Sequence, residues 1–201
     1  MGFDAAISRL DWAGLEARLD REGFVTLPAL LSDGQIRALA KGTDWPAWLA
    51  DLQQTLCPRL APISARWNEA LGRPPRHAGA PGVFHAAQAS LSRLRAGEDQ
   101  PLHDRGADAQ GFALQLVALL GEPGKDFTGG AFVMTEQRPR MQSRPIVVPL
   151  RRGDVAVIAV AQRPQAGSNG SYAVHLRHGI GRVRSGERLG LELLLSASKV
   201  N

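Results

Sequence analysis

The stretch "QPLHDRGADAQGFALQLVALLGEPGKDFTGGAFVM", residues 100–134, decides how this chain is read. Its middle, "FALQLVALL" (112–120), is an apolar run of strand length, closed by the turn-forming residues of "GEPGKDFTGG" (121–130). Further short runs follow: "AFVMTE" (131–136), "IVVPL" (146–150), "DVAVIAVA" (154–161), "SYAVHLRHGI" (171–180) and "RLGLELLLS" (188–196). The turn signals "RRGD" (151–154), "QAGSNG" (165–170) and "VRSGE" (183–187) separate the later ones. Short strands punctuated this way predict a β-sandwich or jelly roll.

Upstream the texture is helical. "LDWAGLEARLDREG" (10–23) places Leu10, Leu15 and Leu19 near one face and ends in Gly23. "FVTLP" (24–28) is a short strand, and "SDGQIRALA" (32–40) opens with Ser32 and Asp33 as candidate caps. Residues 45–72 predict one or two helices, interrupted at Pro58 or Pro62. Residues 72–87, "GRPPRHAGAPGVFHAA", read as a Gly/Pro loop. The whole is expected to be one α+β domain over 1–201, with a helical layer and loop at 1–87 and a jelly-roll core at 88–201.

At 201 residues and 44% hydrophobic content the chain has enough material for a sizeable core. Lys and Arg number 24 against 19 Asp and Glu, a net charge of +5 carried mainly by arginine. That balance is compatible with an anionic partner, nucleic acid included, and equally with a generally arginine-rich protein. Cys57 is the single cysteine, which excludes an intrachain disulfide and a thiolate zinc site, and its context reads as a small buried hydrophobe. No window approaches a membrane span, and the opening residues lack a signal-peptide pattern, so the expectation is a soluble cytoplasmic protein.

Chemistry is sought in the histidines: His77, His85, His103, His175 and His178. His77 and His85 lie in the Gly/Pro loop. His103 precedes the first long strand and His178 closes a late one, and jelly rolls can bring such strands together at one open end. Two imidazoles there with a nearby carboxylate make the donor set of a non-haem Fe(II) site. Each histidine alone is more often structural. Arg188, ten residues after His178 on the next strand, offers a guanidinium fork for the far carboxylate of a keto-acid. The loop "EQRPRMQSRP" (136–145) offers Arg138, Arg140 and Arg144 for anion contacts, or is a solvated hairpin loop. With Arg151, Arg152, Arg177, Arg182 and Arg184, these predict a basic rim at the barrel mouth. Aromatic residues make up only 5%, so base stacking is poorly supported.

Long stretches resemble the Fe(II)- and 2-oxoglutarate-dependent oxygenases. The likeness is greatest to a bacterial branch that is related to prolyl hydroxylases and AlkB-type demethylases and is predicted to modify nucleic acids. The residues that carry it are "EPGKDFTGGAFVMTEQRPRMQSR" (122–144), "VVPLRRGD" (147–154) and "LRHGIGRVRSGER" (176–188), with "CPRLAPISARWNEALG" (57–72) and "LDREGFVTLPALLS" (19–32) in support. The resemblance implies a double-stranded β-helix with Fe(II) and 2-oxoglutarate as cofactors. It implies His103 and His178 as metal ligands, Arg188 as the co-substrate anchor, and hydroxylation or oxidative demethylation of a substrate, nucleic acid being the candidate partner.

The chain departs from the family pattern at the carboxylate. The His-x-Asp motif reads His103-Asp104-Arg105, so a cation stands where a ligand is expected. Asp104 is adjacent, and would reach the metal only if the strand bulged by one residue. Gly190 replaces a Thr, Leu94 a Tyr and Ala131 an acidic residue of the family pattern. Three readings stand: a working oxygenase whose metal shell Asp104 or water completes, a non-catalytic oxygenase-fold module with a basic rim, and a jelly roll for another small molecule.

Overall fold

The computed structural model describes residues 2–42, 44–73, 89–106, 111–168 and 170–195. His77 and His85 lie outside them. Short helix α1 (Phe3–Ile7) leads into α2 (Trp12–Glu22), whose N-terminus is capped by Asp11 and which ends at Gly23 in the left-handed region. Strand β1 (Phe24–Leu27) follows, then α3 (Asp33–Lys41). Ser32 caps α3 through a reciprocal box with Gln35, which satisfies two otherwise orphaned backbone donors.

Helix α4 (Trp48–Ala70) runs unbroken through both prolines, contrary to the interruption expected at Pro58 or Pro62. The two are four residues apart and share the exposed face. The opposite face buries Leu49, Leu52, Leu56, Leu60, Ile63 and Trp67, and that burial outweighs the lost backbone hydrogen bonds. Cys57 is buried on the same helix, and burial raises its pKa to about 11, so the thiol is inert.

The remainder is antiparallel sheet. Strands β2 (Ala89–Arg95), β3 (Gln100–His103), β4 (Leu114–Leu119), β5 (Phe127–Gly129), β6 (Phe132–Gln137) and β7 (Arg144–Val147) come first. They are followed by β8 (Val155–Ala159), β9 (Gln162–Gly167), β10 (Gly170–Ile180) and β11 (Val183–Leu194). One sheet has the order β1-β8-β4-β11-β2, with β5 also paired to β11; the other has the order β3-β10-β6-β7, with β9 paired to β10. The two sheets form a jelly roll, as the spacing of short strands predicts. Neighbours far apart in sequence, β1 with β8 and β3 with β10, are what the roll creates.

The helices close over the first sheet. Leu189, Leu191 and Leu193 of β11 enter the same core cluster as the buried leucines of α4. Trp67, fully buried, donates from Nε1 to Asp20 and ties α4 to α2. Arg163 of β9, also fully buried, donates to the Asp20 carbonyl and pairs with Glu136 of β6, so a charged cross-brace links the second sheet to α2.

Candidate active site

Strand alternation on β11 builds one wall. With Leu189, Leu191 and Leu193 committed to the helices, Arg188, Gly190 and Glu192 project from the opposite face, toward the second sheet. From that sheet His178 meets them: it is 1% exposed, and its Nε2 lies 4.0 Å from Glu192 Oε2. His103, at the end of β3, is the direct cross-strand partner of His178. Their ring centroids are 4.4 Å apart. Gly179 makes this approach possible, because a Cβ there would come 2.6 Å from the Gln100 carbonyl oxygen and push β3 away from β10.

The hydrogen bonds set the imidazole geometry. His103 Nδ1 lies 3.0 Å from the Pro101 carbonyl, which can only accept, so Nδ1 carries a proton and Nε2 is the nitrogen left for the interior. His178 stacks on Phe132 with centroids 5.8 Å apart, and its buried Nδ1 has no hydrogen-bond partner among the described residues. Gln115 Nε2 lies 3.2 Å from His178 Nε2. Around Glu192, Gln100 Nε2 donates to Oε1 at 3.1 Å and Arg105 Nη1 donates to Oε2 at 3.4 Å. Burial works to raise the Glu192 carboxyl, but the neighbouring His178 imidazole, the Gln100 amide and the more distant His103 outweigh it and hold the pKa down to about 2.

Arg188 is 2% exposed, yet its one hydrogen bond among the described residues runs from Nε to the Gly130 carbonyl at 2.9 Å. Burial lowers its pKa to about 10, against the opposing field of Glu192. Two glycines give it room. Gly130, at φ +59°, would bring a Cβ within 3.0 Å of Arg188 Cδ, and a Cβ at Gly190 would come within 2.8 Å of Nη1. Glycine in the place of the expected Thr therefore lets the guanidinium lie against β11.

The structure thus brings His103, His178, Arg105 and Arg188 to one interior and leaves Asp104 out of it. β3 ends at His103, and the exposed Asp104 accepts from Gly106 N at 3.2 Å in a local turn, so no bulge turns its carboxylate inward. In its place stands Glu192, a residue that motif reasoning missed. The signal was available: in "RLGLELLLS" the leucines at 189, 191 and 193 alternate with Arg, Gly and Glu, which puts 192 on the face of Arg188.

The expected basic rim divides. Arg138, Arg140 and Arg144 belong to the β6–β7 hairpin, which begins after Gln137, the partner of His175. Arg182 and Arg184 lie beyond Ile180, at the other end of β10 and roughly 16 Å away at 3.3 Å per residue. Arg138 is engaged by Glu136, Arg152 by Asp33, and Arg182 donates to the Gly97 carbonyl.

These residues fit the groups expected from the resemblance. Donor atoms of His103, His178 and Glu192 all lie within 4.8 Å of one another, two imidazoles and a carboxylate being the set suited to non-haem Fe(II). The buried, sparsely bonded Arg188 fits the carboxylate of an oxo-acid. A family model described as "Oxygenase, catalysing oxidative methylation of damaged DNA" matches residues 40–198. The chain belongs to this oxygenase family. It is also 37% identical over 152 residues to an uncharacterized protein of Mycobacterium tuberculosis, a match that covers 71% of this chain and 65% of the relative. The chain thus spans about two thirds of that relative's length.

Solved structures agree on the fold. A 2OG-Fe(II) oxygenase-family oxidoreductase from Burkholderia pseudomallei superposes with a TM-score of 0.58 at 18% identity, covering 95% of this chain and 93% of the other. A prolyl-4-hydroxylase from Pseudomonas putida gives a TM-score of 0.55 at 14% identity, covering 91% and 90%. This oxygenase-family chain therefore carries the jelly roll of the 2-oxoglutarate and Fe(II) enzymes. No helix among its described residues is long and apolar enough to cross a membrane.

Proposed function

We propose that this chain is an Fe(II)- and 2-oxoglutarate-dependent oxygenase that hydroxylates or oxidatively demethylates a nucleic-acid substrate. The observation that carries the reading is Arg188: a buried cation with a single hydrogen bond among the described residues, on the same interior face as a carboxylate and opposite two converging imidazoles. A buried charge with so few partners is costly, and a ligand carboxylate offsets that cost. His103 and His178 would hold the metal, and Arg188 would hold the far carboxylate of 2-oxoglutarate bidentately. Bound Fe(II) and 2-oxoglutarate supply an oxidant for an unactivated C–H bond. The protein's own part is orientation and dryness. The Pro101 carbonyl fixes the His103 tautomer, Phe132 covers one face of His178, and Gln100 holds one oxygen of Glu192, while the Gln115 amide, at His178 Nε2, would yield that nitrogen to the metal. The family description names damaged DNA, and the exposed Arg140 and Arg144 offer phosphate contacts.

The test is succinate release from 2-oxoglutarate with Fe(II), with and without alkylated DNA oligonucleotides. Release that needs iron and rises with the alkylated strand is the expected result. A second reading, a non-catalytic module, draws on the Arg105 guanidinium at Glu192, a cation where iron would sit. It predicts neither metal binding nor turnover.

A further inference from the structure

The Arg105–Glu192 contact admits a different account. We infer that Glu192 is the carboxylate ligand of the metal in this chain, and that Arg105 is its exchangeable counter-ion, paired with Glu192 when the metal is absent and displaced when it binds. The inference rests on the iron-dependent reading above and assigns the ligand which that reading leaves open.

Three observations carry it. First, among the described residues Glu192 is the carboxylate that the fold delivers to the imidazoles, since Asp104 is exposed and held in its own turn. Second, the side chain of Glu192 is 7% exposed, so its charge is poorly solvated by water and a cation beside it offsets the cost of burial. A metal and a guanidinium are alternative occupants of that role. Third, the side chain of Arg105 is 21% exposed against 7% for Glu192, so the guanidinium is the partner of the pair with the shorter path to solvent.

The geometry is that of an open clamp. Ligands about 2.1 Å from one ion lie about 3 Å apart when adjacent. His178 Nε2 and Glu192 Oε2 stand at 4.0 Å, so the group closes by about an ångström on metal binding. Arg105 Nη1, 3.4 Å from the same Oε2, occupies the approach. With a divalent ion held by His103, His178 and Glu192, the Arg105 guanidinium would be repelled from Oε2 and would turn outward. The carboxylate thus reaches the metal from β11 rather than from the end of β3, four residues along the same strand face from the oxo-acid anchor Arg188.

The experiment is a titration with Mn(II) alone, free ion read by electron paramagnetic resonance, on the native full chain, Glu192→Gln, Arg105→Met and His178→Ala. Thermal melts confirm that each variant is folded. Glu192→Gln is expected to weaken Mn(II) binding by more than the roughly 100-fold typical of an outer-shell loss. Arg105→Met is expected to tighten it roughly tenfold, through removal of one partly buried competing ion pair. Binding by Arg105→Met where the native chain binds weakly or not at all supports the same conclusion. Native-like affinity in Glu192→Gln, with binding lost in His178→Ala, would overturn the Glu192 assignment and leave the metal site standing. Weaker binding in Arg105→Met would overturn the counter-ion role. No Mn(II) binding by either the native chain or Arg105→Met would overturn the inference together with the iron-dependent reading.

Discussion

Replacing Arg188 with methionine should separate what this residue costs the fold from what it does for a ligand. Burial takes its pKa well down from the ordinary guanidinium value, to about 10. At about 1.4 kcal/mol per pH unit, the charged form costs on the order of 3 kcal/mol in the folded state. The sign follows from linkage: a base that holds its proton less tightly when folded destabilises the fold at every pH below its folded value, neutral pH included. Against this stands one charge-assisted hydrogen bond, Nε to the Gly130 carbonyl, worth about 2 kcal/mol. Methionine fills similar volume and keeps apolar contact near the Phe127 ring, over which the guanidinium carbon now sits at 6.0 Å.

The ligand-free Arg188→Met protein should therefore be about 1 kcal/mol more stable, a rise in Tm of about 3 °C for a chain of this size. Its affinity for 2-oxoglutarate should fall roughly 100- to 1000-fold, as expected when a buried carboxylate loses a bidentate charged partner. The assay is thermal unfolding with Mn(II) present, with and without 2-oxoglutarate. The native chain gains Tm on adding the oxo-acid and the variant does not. A variant that melts several degrees lower without ligand would show that Arg188 is a structural cation. A variant that keeps the native response to 2-oxoglutarate would refute the anchor.

Two further outcomes follow from other charges. Burial works to raise the Glu136 carboxyl, but the hydrogen bonds and charges of Arg163 and Arg138 hold it below its ordinary value. A depressed acid contributes stability above its unfolded pKa, and that stability is lost as pH falls through the folded value. Arg163→Met should therefore cost about 3 kcal/mol at pH 7 by urea unfolding and move the acid-unfolding midpoint upward. For DNA, replacing both Arg140 and Arg144 with alanine should flatten the salt dependence of duplex binding, by about 0.9 in slope for each phosphate the protein ceases to neutralise. Fluorescence anisotropy across a salt series reads it, and an unchanged slope would remove the hairpin from the interface.

The elements of this protein lie close to the surface of its sequence because each is set by local rules. Short apolar runs between turn signals marked the strands, Gly23 ended α2, and Ser32 opened α3. Local rules misled at Pro58 and Pro62. There the penalty is local, while the compensation comes from the buried face of α4, which depends on what packs against it. The site was legible in part. His103, His178 and Arg188 were marked by spacing and by resemblance, and the structure brings them to one interior.

What only the tertiary structure decided is which carboxylate, among the described residues, lies beside the two imidazoles. Chain adjacency favoured Asp104, a neighbour of His103, but adjacency on a strand sends successive side chains to opposite faces, and the strand ends before any bulge turns Asp104 back. Glu192 is 89 residues from His103 in the numbering and comes beside it because β10 brings His178 from one sheet while β11 faces it from the other. The sequence by itself determined the alternation that gives Glu192 the same face as Arg188. Which residues that face would meet depended on how the two sheets roll together, and that is set by long-range pairing which no local pattern encodes.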